Sequence, residues 1–202
     1  MSQKSVSVSK LAKLLDLKVF TKELDLKKHK VTLSDVNRPA LQLSGYFEYF
    51  EPNRVQIIGM VEYSFLKQMD PDKRIEIYNA LLEREIPCII FSRDFEPDED
   101  FLRIAEEKDV PLLGTHRTTS SFMAELILCL SEELAPCVTI HGVLVDVYGE
   151  GLLITGESGS GKSTLLRLIA QIGDLQYSEG IKLCACRFAA SHRAHTLLRS
   201  AG

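Results

Sequence analysis

The residues Gly156-Glu157-Ser158-Gly159-Ser160-Gly161-Lys162-Ser163 fit the spacing G-x-x-x-x-G-K-[ST]. That spacing can hold phosphate. Glycines let successive backbone N–H groups turn inward around phosphate oxygens, the lysine reaches the β and γ phosphates of a nucleotide, and the hydroxyl after it ligates Mg²⁺. Positions 156 through 163 are therefore the candidate nucleotide-binding residues, with Lys162 the candidate catalytic cation and Ser163 the candidate metal ligand. The alternative, a glycine-rich turn that binds nothing, requires chance to supply the motif and suitable flanks as well. Upstream, His141 lies in a strand-like run near the loop. A lone strand histidine is structural, whereas one close to a phosphate site contacts phosphate or joins catalysis, and both readings stand for His141. Asp146 follows the apolar run Val143-Leu144-Val145, as a Mg²⁺-holding aspartate does, but it precedes the loop, so a structural role is expected for it.

These groups need elements to position them. Gly151-Leu152-Leu153-Ile154-Thr155 reads as a short apolar strand entering the loop, and Thr164-Leu165-Leu166-Arg167-Leu168-Ile169-Ala170 as a helix leaving it, with its partial positive end at the phosphate. Val138 to Gly151 reads as strands meeting at a Gly-Glu-Gly turn. Earlier in the chain, Ser9 caps a short helix carrying Leu11, Leu14 and Leu15, and Lys30 to Leu33 is a strand. Asn37-Arg38-Pro39 imposes an extended or turn conformation before the aromatics Tyr46, Phe47, Tyr49 and Phe50, which are expected in a core or interface. Val55 to Val61, Pro87 to Phe91 and Val110 to Leu113 are three more strands. They alternate with helices opened by Asp70-Pro71, by Pro97 and by Thr119-Ser120-Ser121, the first of these with Ile75, Tyr78, Leu81 and Leu82 on one face. This alternation predicts an α/β fold in which the N-terminal domain, residues 1–135, has a mainly parallel sheet and flanking helices. Ala135-Pro136 marks the boundary. Residues 136–173 begin an incomplete P-loop kinase-like domain, and 174–202 form a divergent tail expected to be poorly ordered. His116 beside Arg117 could bind an anion at the next helix start, but a solvated loop is the better expectation, and the N-terminal domain is assigned no chemistry.

Composition narrows the partners. The chain has 202 residues, 45% of them hydrophobic, and a formal net charge of -4. No strongly basic region marks a nucleic-acid or membrane-surface binder, so a small molecule or protein substrate is expected. Met1 to Lys10 is polar and no run approaches a membrane span, which predicts a cytoplasmic protein. Cysteines at 88, 129, 137, 184 and 186 do not form a disulfide framework.

Four stretches together resemble the HPr kinase/phosphorylases of bacterial carbon regulation: Asn37-Arg38-Pro39-Ala40-Leu41-Gln42-Leu43-Ser44-Gly45-Tyr46-Phe47, Arg54-Val55-Gln56-Ile57-Ile58-Gly59, Leu134-Ala135-Pro136, and above all His141-Gly142-Val143-Leu144-Val145-Asp146-Val147-Tyr148-Gly149-Glu150-Gly151 running into the loop. The resemblance covers roughly residues 5 to 163. It implies a bifunctional enzyme that uses ATP or pyrophosphate with Mg²⁺ to phosphorylate a serine of the phosphocarrier protein HPr, and that removes this phosphate by phosphorolysis. It also implies a homohexamer, with Lys162 touching the transferred phosphate, Ser163 ligating Mg²⁺ and His141 in the active site.

The pattern then departs from the family. Where the family presents Ala-Asp-Asp, whose second aspartate is the acid/base, an ungapped count gives Ser178-Glu179-Gly180. Glu179 is the neighbouring carboxylate, displaced by one residue. From Ile181 to Gly202 there are four Lys or Arg, two His and no acid. Cys184, Cys186, His192 and His195 have spacings unlike those of a zinc site, and disorder is the better expectation. A truncated relative and a reading-frame change after the loop both fit, with the second favoured. The functional readings are an HPr kinase/phosphorylase and a non-catalytic relative retaining weak nucleotide binding. A transporter-type ATPase, suggested by the residues around Lys162, is set aside because no room remains for its later motifs.

Overall fold

Val55–Ile58, Ile89–Phe91 and Leu112–Gly114 are buried at every residue. Such runs cannot be edge strands with a wet face; each needs cover on both sides, which is the environment of a parallel sheet between helices. The computed structural model describes residues 4–139, 142–147, 150–155, 159–161, 164–165, 177–179 and 182–184. The chain divides into two units, Met1–Leu134 and Ala135–Gly202.

The first unit runs β1 (Val6–Ser7), α1 (Val8–Leu14), β2 (Lys18–Val19), β3 (Lys30–Val31), β4 (Val36–Asn37), α2 (Ala40–Leu43), β5 (Val55–Ile58), α3 (Met60–Gln68), α4 (Pro71–Leu82), β6 (Ile89–Phe91), α5 (Glu99–Glu107), β7 (Leu112–Gly114) and α6 (Thr119–Leu134). Its main sheet has the order β2-β7-β6-β5-β4; the strands from β4 to β7 are parallel and β2 closes one edge antiparallel. The mainly parallel sheet with flanking helices agrees with the sequence reading. Register sorts the side chains by face. Ile57, Ile90 and Leu113 stand in one row and pack with Val8 and Leu11 of α1 and Phe122, Leu126 and Leu130 of α6. The adjacent positions Ile58, Ile89, Phe91 and Leu112 pack instead with Tyr78 and Leu81 of α4 and Phe101 and Ile104 of α5. Each such side chain, fully buried, contributes about 1.5–3 kcal/mol. Gln56 is the polar exception in this sheet; it accepts from Asn37 Nδ2 at 2.7 Å and donates to the Arg54 carbonyl at 2.8 Å.

The helix starts have local causes. Asp70 caps α4 by accepting the Asp72 N–H, with Pro71 at the first helical position, and Asp98 caps α5 by accepting the Phe101 N–H at 2.9 Å. Asp98 also accepts from the Tyr78 hydroxyl at 2.7 Å, and burial, with this carboxylate second, raises the Tyr78 phenol pKa.

Several details differ from the sequence reading. The cap of α1 is Ser7, whose Oγ accepts the Lys10 N–H at 3.3 Å, because the helix begins at Val8, ahead of Ser9. The strand expected to reach Val61 stops at Ile58, and Met60–Gln68 forms a helix the sequence did not suggest. Gly59 is its cap, and the buried Glu62 carboxylate accepts the Gly59 N–H at 3.0 Å and Arg38 Nη2 at 2.8 Å. Thr119 lies inside α6 rather than before it. Of the four aromatics, Tyr46 and Tyr49 are exposed, while Phe47 and Phe50 pack at the core margin under the Arg84 guanidinium, 4.1 Å from the Phe47 ring. Among the described residues no helix is long and apolar enough to cross a membrane.

The second unit contains β8 (Cys137–Thr139), β9 (Gly142–Val147), β10 (Glu150–Thr155), β11 (Tyr177–Glu179) and β12 (Lys182–Cys184). β9 is the centre of an antiparallel sheet ordered β10-β9-β11, and β12 pairs antiparallel with β8. β11 and β12 fall within 174–202, most of which lies outside the described residues; of the cysteine and histidine set there, Cys186, His192 and His195 lie outside them as well.

Candidate functional site

The register of the second unit fixes where the motif begins. Thr155, the last residue of β10, pairs with Gly142, the first of β9, and Glu179, the last of β11, pairs with Val143. The end of β10, the end of β11 and the start of β9 therefore meet at one end of the sheet. The loop leaves from that end, and His141 immediately precedes Gly142 in the chain. Asp146 pairs with Gly151 near the opposite end. Gly151 and Thr155 are four residue steps apart, roughly 13 Å along the strand, so Asp146 is remote from the loop's entry.

Within the loop, Gly159 and Gly161 both have φ of +85°, the left-handed region that side-chain-bearing residues avoid, and Ser160 between them does not. Left-handed φ is a backbone demand that glycine meets without the steric cost a Cβ would bring. No described atom lies within 4 Å of a Cβ built on either glycine, so their requirement is conformational rather than steric. Residues 159–161 are exposed. Thr164 and Leu165 are helical, and the Leu165 N–H donates to the Gly161 carbonyl at 2.9 Å, four residues back, as in an α-helix. Of the candidate site residues, Gly156, Glu157, Ser158, Lys162, Ser163 and His141 lie outside the described residues; Gly159, Ser160 and Gly161 lie within them.

The first unit offers no competing centre among its described residues. His116 is exposed, while Arg117 donates from Nη1 to the Leu15 carbonyl at 2.7 Å and from Nε to Glu125 at 3.0 Å. That guanidinium is committed to holding α1 and α6, which removes the cation from the proposed anion site. A cleft of about 350 Å³ near the C-terminal ends of α4 and α5 carries Lys28, Lys30 and Lys108. Glu83 pairs with Lys108, Asp109 faces His29, and the carbonyl ends of both helices add negative partial charge, so the cleft selects no single ligand chemistry. Burial pushes the Cys88 thiol up to about 12, and burial with the nearby Glu133 raises that of Cys129, so neither is a nucleophile at neutral pH. Among the described residues no group of three or more His, Cys, Asp or Glu is placed to hold a metal ion.

Comparison with known proteins gives a consistent picture. A crystal structure of the CBS and DRTGG domains of the regulatory region of a Clostridium perfringens pyrophosphatase matches 60% of this chain and 45% of that one, with a TM-score of 0.41 and 15% identity, a likeness too small to support a conclusion. Sequence relatives are much nearer. An HPr kinase/phosphorylase of Lachnoclostridium phytofermentans is 52% identical over 159 residues, covering 79% of this chain and 52% of the relative. One from Caldicellulosiruptor bescii is 47% identical over 164 residues, covering 81% and 53%, and one from Latilactobacillus sakei is 43% identical over 166 residues, covering 82% and 53%. The chain thus spans about half the length of the curated relatives it matches. Residues 6–130 match the family model described as HPr Serine kinase N terminus, and residues 132–175 the one described as HPr Serine kinase C-terminal domain. On these matches the chain belongs to the HPr kinase/phosphorylase family.

Proposed function

We propose that this chain carries the phosphate-handling loop of a bifunctional HPr serine kinase/phosphorylase, with residues 1–135 as an N-terminal α/β domain and 136–173 as the start of a P-loop kinase-like domain. In the forward direction an oxygen of the HPr serine bonds to the terminal phosphorus of ATP or pyrophosphate as the bond to the departing ADP or phosphate breaks. In reverse, inorganic phosphate takes the phosphoryl group from phosphoserine and leaves as pyrophosphate. Such transfers need positioning and charge neutralisation more than covalent help from the protein. Backbone N–H groups of residues 156–163 bind the phosphates, Lys162 offsets charge on the transferred group, Ser163 holds Mg²⁺, and His141 lies at the reacting phosphate. Held by Ser163, Mg²⁺ would supply further charge neutralisation at the phosphates. The partner is HPr, the assembly a homohexamer, and the setting the cytoplasm, in carbohydrate regulation.

The observation that carries this reading is the order of elements around the motif in a chain of this family: Thr155 ends a strand, left-handed glycines follow at 159 and 161, and Thr164 and Leu165 are helical. The test is direct. Purified chain, given HPr, Mg²⁺ and either ATP or pyrophosphate, is expected to label the HPr serine, and given phospho-HPr and phosphate to release pyrophosphate; failure of both reactions overturns the enzyme reading. Gly180, standing where the family's acid/base aspartate is expected, favours a second reading, a non-catalytic relative with weak nucleotide binding. A chain that binds ATP in calorimetry yet transfers nothing in either direction would be that relative.

A further inference from the structure

We draw no further inference here: the strongest candidate, the outward face of α3, where Met60, Val61 and Phe65 are exposed while Glu62 is buried, carries nothing because nothing in the structure shows what covers it.

Discussion

The two units hold different kinds of information. In the first, the strands β5 to β7 are buried throughout, and three buried polar side chains have side-chain partners: Gln56 with Asn37, Glu62 with Arg38, Ser92 Oγ with Thr119 Oγ1 at 2.8 Å. Those groups are used up by packing and none is left facing a ligand. In the second unit, one antiparallel hairpin leads into a glycine-rich segment with left-handed φ at Gly159 and Gly161, from the end of the sheet where three chain segments meet. Residues that fill a core are constrained from all sides and so are poor candidates for chemistry. Residues that do chemistry must keep one side open.

The largest expected effects separate the units. Phe122→Ala removes a fully buried ring of α6 that packs with the row of Ile57, Ile90 and Leu113, and is expected to cost about 3–5 kcal/mol in urea unfolding. Hydrogen exchange in β5 and β6 should accelerate in the variant. If protection there is unchanged, the ring does not hold that face. Lys162→Ala is expected to lower transfer to HPr on the order of 100–1000-fold, the size seen when one preorganised charge-stabilising donor is lost. Protection in residues 6–130 should not change. A variant that loses activity only in step with the stability of the first unit would erase the distinction between the two regions.

How much the sequence disclosed follows the same division. The parallel sheet was legible because strands covered on both faces read as unbroken apolar runs, and α4 announced itself through Asp70-Pro71. α3 was not legible. Its cap, Gly59, has no side chain to signal with, and its pattern is reversed, with Glu62 inside and Val61 and Phe65 outside, so Met60-Val61 read as more strand. Ser9 was read as the cap of α1, but the helix already begins at Val8 and Ser7 accepts the Lys10 N–H, an earlier start that the Leu11, Leu14, Leu15 spacing does not fix. For the site, the glycine spacing was legible because the left-handed φ at Gly161 is a backbone demand that a residue type alone can reveal. The closeness of the start of β9 and the end of β11 to the loop was not, because strand register is set by pairing across the sheet and leaves no local mark in either segment.

Gly59 and Gly159 offer a finer comparison, since each resists a side chain for a different reason. A Cβ at Gly59 would lie 2.7 Å from Thr119 Oγ1 and 3.2 Å from Glu62 Oε2. Thr119 is held by Ser92 and Glu62 by Arg38, so neither can yield freely. Gly59→Ala is expected to cost about 1–3 kcal/mol by overpacking. Gly159→Ala meets no described atom within 4 Å and is expected to cost about 1–2 kcal/mol for its left-handed backbone. The two are told apart by adding Thr119→Ala, which should recover part of the loss at Gly59 and none at Gly159. Recovery at both positions would show that the second constraint is not conformational.

The smallest effect expected near neutral pH belongs to Cys88. Its thiol has an ordinary value of 9.0 and is pushed up to about 12 by complete burial. Below pH 9 the thiol is protonated in both the folded and unfolded chains, so its contribution to stability is fully present. Between pH 9 and about 12 the unfolded chain releases the proton while the folded one keeps it, and the contribution is lost as pH rises. Unfolding midpoints compared between the wild type and Cys88→Ala should therefore converge over that window, beyond the decline common to both from other groups such as Tyr78. Cys129, only partly buried, supplies the internal control: a thiol reagent at pH 8, read by peptide mass spectrometry, should modify it well before Cys88. Equal rates at the two sites would mean that the sheet opens locally around β6 much more easily than its burial on both faces allows.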